Sequence, residues 1–129
     1  MMLHAIRIHR AGGPEVLSWE EVEVSDPAPG QVRLRQVAVG LNYIDVYHRS
    51  GLYPQETPFT PGVEGTGIGE AIGAGVTMLQ PGDRVAYAGP IGGYAEVRLI
   101  DADRLLKLPD EISFEQAAAL RIGLSATVA

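Results

Sequence analysis

The chain has 129 residues, 46% of them hydrophobic and 20% charged, with a formal net charge of −6 and no cysteine. This is the composition of an ordinary globular domain, long enough for one core and free of low-complexity tracts. The acidic balance argues against nucleic-acid binding, the lack of cysteine excludes a disulfide framework and thiolate metal sites, and no apolar run is long enough to cross a bilayer.

Residues 2–9 alternate apolar and polar like a strand, and Gly12, Gly13 and Pro14 break the run. No apolar stretch followed by a small-residue cleavage site is present there, so no secretory leader is read and a cytoplasmic location is expected. Residues 16–24 alternate again and are expected to pair with the first run as a hairpin. After Pro27, Pro29 and Gly30, residues 31–40 form the best strand candidate, with Arg33 and Arg35 together on its polar face. Residues 43–50 read as a short helix, with Asn42 as N-cap and Gly51 as its stop.

A proline-rich loop follows, and residues 66–74 read as a glycine-rich strand. Pro81, Gly82 and Asp83 mark a turn before strands at 84–88, 93–100 and 103–108. Ser113 opens a helix running to Leu120, with Glu115 and Gln116 placed as in a capping box. Many short strands at even spacing indicate a mainly β barrel or sandwich with two or more short helices. The βαβα alternation of a nucleotide-binding sheet, a Rossmann domain, is missing.

Several motifs carry a functional reading and a bland one. Gly65, Gly67 and Gly69 resemble a dinucleotide fingerprint, but the position of its third glycine holds Glu70, whose charge would face a pyrophosphate. A strand whose backbone approaches its neighbour closely explains the glycines better. His4, His9 and His48 lack the spacing of a ligand pair on one helix. Asp45 and His48 lie three apart, so a proton relay or a structural pair on one helix face fits them. Glu20, Glu21 and Glu23 read as a solvated strand face. Tyr47 and Tyr53 bracket the short helix and suit either a ligand wall or boundary packing.

Six stretches occur in order: Ala11–Leu17, Gly40–Asp45, Arg49–Pro54, Pro61–Gly67, Pro81–Val85 and Gly92–Val97. Together they resemble the N-terminal part of the zinc-free quinone oxidoreductases, the zeta-crystallin-like branch of the medium-chain dehydrogenase/reductase superfamily. The resemblance runs from residue 1 to about residue 120. It implies a GroES-like, partly open β-barrel over residues 1–112, and a helix over 113–129 that leads into a separate cofactor domain.

The resemblance also implies NADPH as cofactor and a quinone-like small molecule as acceptor. By match, Asn42 and Tyr53 line the cofactor and substrate cleft, Tyr53 being the candidate catalytic residue, and Ser125 is a further candidate cofactor contact. Asp45 matches a buried position near the site. Zinc alcohol dehydrogenases share the fold but carry ligands where this chain has Asn42 and Val63, so no zinc is expected. After Ala117–Leu120 the chain reaches Arg121–Ala126 one residue sooner than the family does and then ends at Ala129.

These 129 residues by themselves are therefore expected to bind NADPH weakly, to turn over no quinone and to form a homo-oligomer through 114–129. A non-catalytic GroES-like binding or oligomerisation module is the alternative. A co-chaperonin is disfavoured, because the loop at 54–62 is stiffened by proline.

Overall fold

The alternation of the first two runs builds a two-stranded ladder. In the computed structural model, which describes residues 1–119, β1 (Met2–Arg7) pairs antiparallel with β2 (Ser18–Glu23), Met2 opposite Glu23 and Arg7 opposite Ser18. The link between them contains a 3₁₀ turn, Pro14–Val16, with proline at its first position, where its fixed φ is already helical.

Five strands make a second sheet. They are β3 (Gln31–Val39), β4 (Glu64–Ile72), β5 (Arg84–Ala88), β6 (Val97–Asp101) and β7 (Leu105–Lys107), in the spatial order β6-β3-β4-β5-β7 with every pair antiparallel. The outer strands β6 and β7 do not pair with each other, so the sheet stays open. This matches the partly open, mainly β architecture expected. An Ala5–Ala95 bridge ties β1 to the segment just before β6.

Period-two patterning sets the core. Val32 and Leu34 of β3 meet Val85 and Tyr87 of β5, Ile100 of β6 and Leu79 in one buried cluster. Arg33 and Arg35 stand on the opposite face, where both reach Glu70 of β4, at 3.0 Å from Arg33 Nε and 3.1 Å from Arg35 Nη2. The carboxylate that argued against a pyrophosphate site is thus the shared partner of two arginines.

The glycines of β4 mark close backbone approach. A Cβ on Gly67 would sit 2.1 Å from the Arg35 carbonyl oxygen, beside the register shift between Gln36 and Ala38. Glycine at such a bulge is what strand physics requires.

Some strands are shorter than the pattern predicts. Residues 93–96 do not join β6, because Gly93 and Tyr94 donate their backbone N–H to Gly62 and Pro61. Residues 102–104 form a 3₁₀ turn, which leaves only Leu105–Lys107 as strand. β4 begins at Glu64, two residues early, and stops at Ile72, since Gly73 N–H turns to Gln31 O at 2.7 Å.

Helix α1 (Tyr43–Ser50) has the expected bounds, with Gly51 at φ 90° as its left-handed stop. Residues 114–119 are helical, and Ser113 and Gln116 exchange both capping-box hydrogen bonds at 3.0 Å. Ala117 packs with Ala86 and Leu108, and Thr66 Oγ1 donates to Phe114 O at 3.0 Å. Up to residue 119, then, the chain's own sheet covers the apolar face that had been expected to lie bare for an oligomer contact. The rest of the proposed 113–129 unit, including Ser125, lies outside the described residues.

Candidate functional site

Helix α1 is unusual in what it buries. Its buried residues are Asp45 and His48, 5% and 8% exposed, while Leu41 before it and Tyr43 at its start are 80% and 82% exposed. Tertiary context has inverted the ordinary rule that apolar side chains face the body. With Ile44, Tyr47, Leu52 and Tyr53 also exposed, the helix and its exit present several apolar and aromatic side chains to solvent, as a contact or ligand face does.

The aromatic part has defined geometry. Tyr53 lies edge-to-face with Tyr47 at 5.4 Å between ring centroids and with His48 at 6.5 Å. Its backbone N–H donates to Tyr47 O at 3.2 Å, which folds the residues after Gly51 back onto the helix. Asn42 heads the same helix. Eight residues separate the helix ends by about 12 Å, so Asn42 and Tyr53 flank one wall rather than touch.

The polar groups beneath this wall form a cluster. Asp45 Oδ2 accepts from the Asn42 backbone N–H at 3.0 Å and from the Tyr94 hydroxyl at 2.5 Å. Burial, with the Asp45 carboxylate as the second cause, pushes the Tyr94 phenol above the ordinary tyrosine range, so it acts as a donor. Asn42 Nδ2, Asp45 Oδ1 and His48 Nδ1 are buried and have no hydrogen-bond partner. They recur every three residues and so share a helix face. The Asp45–His48 contact that this spacing allowed is not formed; Asp45 pairs with Tyr94 instead.

Tyr94 escaped the sequence reading as a site residue. Its signal was the pair of glycines before it. A Cβ on Gly62 would come within 2.7 Å of the Tyr94 ring and 2.9 Å of Gly93 Cα, so the motif marks a close approach.

The other histidines belong to the β1–β2 surface. His4 stacks on Trp19 at 5.3 Å. His9 Nε2 lies 2.6 Å from Glu20, and that hydrogen bond is the main cause that holds the Glu20 carboxyl below its usual range. Among the described residues, no three histidine, aspartate or glutamate side chains gather as a metal site would need, and no helix is long and apolar enough to cross a membrane. A groove of about 890 Å³ lies beside Gly30, Met78, Leu79 and Leu105, at the end of β3 away from α1, and contains neither Asn42 nor Tyr53.

Comparison with known proteins points to one family. The alcohol dehydrogenase GroES-like domain matches residues 28–110. A quinone oxidoreductase of Pseudomonas aeruginosa is 48% identical over 123 residues, covering 94% of this chain and 38% of its own length. A 2-haloacrylate reductase of a Burkholderia species is 42% identical over 119 residues, covering 88% of this chain and 36% of the relative. The crystal structure of Escherichia coli quinone oxidoreductase complexed with NADPH superimposes with a TM-score of 0.87 at 46% identity, over 90% of this chain and 36% of that one. The chain thus spans well under half the length of the relatives it matches.

Proposed function

The chain belongs to the alcohol dehydrogenase GroES-like domain family, and from that premise we propose that it is the substrate-side domain of a zinc-free, NADPH-dependent quinone reductase. The observation that carries the proposal is the aromatic wall made by Tyr47 of α1 and Tyr53 folded back against it, with Asn42 and its unpaired buried amide nitrogen at the head of the helix. An orphaned amide is a group short of an acceptor, and an asparagine can both donate and accept. These residues therefore fit the nicotinamide end of NADPH. The likeness to the P. aeruginosa and E. coli enzymes supports the same assignment.

NADPH supplies the hydride when bound. The chain's share is to hold and screen. The ring of Tyr53, backed by Tyr47, is a flat apolar wall for a quinone or similar conjugated carbonyl, and it keeps water from one side of the cleft. Asn42 orients by hydrogen bonding. Asp45 holds the backbone of Asn42 in place. Catalytic zinc has no part in this proposal, because an asparagine amide and a valine stand at Asn42 and Val63, where zinc relatives carry ligands. The 42% identity to a 2-haloacrylate reductase supports a wider acceptor class of electron-poor conjugated double bonds. We place the domain in the cytoplasm and expect it to form a homo-oligomer.

Asn42→Ala and Tyr53→Ala in the full-length protein test the proposal. Each is expected to lower NADPH-dependent benzoquinone reduction at least tenfold while circular dichroism stays unchanged; wild-type turnover in both would overturn it. The 129-residue domain alone offers one wall of a cleft, and one wall leaves most of a ligand in water. It is expected to reduce no quinone and to bind NADPH only weakly by fluorescence titration. Micromolar binding would move the cofactor site elsewhere.

A further inference from the structure

With Asn42 read as a cleft residue, its placement depends on what holds helix α1 against the sheet.

Because α1 buries Asp45 and His48 rather than apolar side chains, its position is decided by hydrogen bonds. An eight-residue helix is marginal by itself, so its fastenings matter. Two are visible. At the C-terminal end, Arg49 Nε donates to Gly12 O at 3.2 Å, and Gly12 N–H donates back to Arg49 O at 3.0 Å. At the N-terminal end, which carries Asn42, the fastening is the Tyr94 hydroxyl on Asp45.

The loop that presents Tyr94 is firmly held. Arg98 of β6 donates to Pro90 O at 3.1 Å and to Ile91 O at 3.0 Å. Gln36 of β3 donates from Nε2 to Gly93 O and Ala95 O, both at 2.9 Å. The Tyr94 backbone itself donates to Pro61 O at 2.9 Å and accepts from Ile6 N–H at 2.8 Å. A loop fixed at Pro90, Ile91, Gly93, Tyr94 and Ala95 is a rigid mount. Asp45 Oδ2 then joins that mount to the Asn42 N–H through one oxygen atom.

We propose that Tyr94 is a positioning residue: through Asp45 it fixes where the Asn42 backbone, and with it the amide side chain, stands at the cleft. Nothing in this role needs Tyr94 to touch a ligand. Its hydroxyl acts only by bonding Asp45, and its protonated state at neutral pH keeps that bond in place. Misplacing a reacting geometry by an ångström lowers rates about a hundredfold, so a looser anchor shows first in kcat.

The test is a double-mutant cycle in the full-length protein, with NADPH and benzoquinone as substrates. Tyr94→Phe removes one hydroxyl and keeps the ring. It is expected to lower kcat about tenfold and to change the KM for NADPH less than threefold. In an Asn42→Ala background the same substitution is expected to change kcat less than twofold, because its target is gone. Asp45→Asn weakens the same bond at constant volume. It is expected to give a smaller loss of kcat with the same dependence on Asn42, and it serves if Tyr94→Phe does not fold.

Wild-type kcat for a folded Tyr94→Phe variant, or losses that multiply independently of Asn42, would overturn the proposal. If Asn42→Ala lowers turnover and Tyr94→Phe does not, the positioning role alone fails. If Asn42→Ala is itself neutral, the cleft reading fails and the positioning role with it.

Discussion

Replacing Gly67 by alanine separates a structural glycine strand from a ligand-binding turn. The added Cβ would lie 2.1 Å from the Arg35 carbonyl oxygen and 2.9 Å from both Arg35 C and Gln36 Cα. All three are backbone atoms of β3, and an ordinary carbon–oxygen contact is about 3.3 Å or more. The strands must therefore part by roughly 1 Å where Gln36 faces Gly67. Overpacking of this kind costs about 1–3 kcal/mol, and weakening one or two ladder hydrogen bonds adds about 1 kcal/mol each.

Stiffening the unfolded chain offsets about 0.4–1 kcal/mol of that, leaving a net loss of roughly 2–4 kcal/mol. Gly69→Ala is the control within the same motif. Its Cβ would meet only the side-chain ends Val32 Cγ1 at 3.3 Å and Ile72 Cδ1 at 3.7 Å, so the change should stay within about 1 kcal/mol of wild type. Urea unfolding of the domain measures both, with the Gly67→Ala midpoint expected well below the other two. Equal losses for the two variants, or a Gly67→Ala loss under about 1 kcal/mol, would refute the close-approach account and reopen the segment as a candidate ligand turn.

Thr66→Val should destabilise the domain by about 1 kcal/mol in the same assay, because it removes the 3.0 Å hydrogen bond from the buried Thr66 hydroxyl to Phe114 O. In an alkaline absorbance titration, Tyr94 should ionise above the ordinary tyrosine range, since burial and the Asp45 carboxylate both raise it. The linkage has a definite sign. From about pH 10 upward the unfolded phenol loses its proton while the folded one keeps it, so stability falls as pH rises into that window. A flat stability curve there would show Tyr94 to be open to solvent. Light scattering over a dilution series should reveal reversible self-association of the domain, reduced when Leu41 and Tyr43, the most exposed residues at the head of α1, are both changed to serine.

Much of this molecule can be read from local pattern. The alternation in residues 31–39 and 84–88 is enough to place Val32, Leu34, Val85 and Tyr87 in one core, because a strand's side chains must alternate between faces. Asn42, Gly51, Ser113 and Gln116 mark their helix ends through capping chemistry that depends on nearest neighbours alone. Even the correct reading of Gly65–Gly69 came from the residue that should have been glycine, Glu70.

The polar site was decided elsewhere. Asp45 and Tyr94 are 49 residues apart, and no local rule pairs them. The spacing of Asp45 and His48 favoured a contact within the helix, and the fold overrode it by bringing the 90–95 loop against α1. The inverted burial of α1, polar inward and aromatic outward, likewise exists only once β3 and β4 have set the direction in which the helix leaves the sheet. Periodicity can say that a helix has two faces. Which of them is buried depends on what the rest of the chain lays beside it, and here the chain laid Tyr94 there.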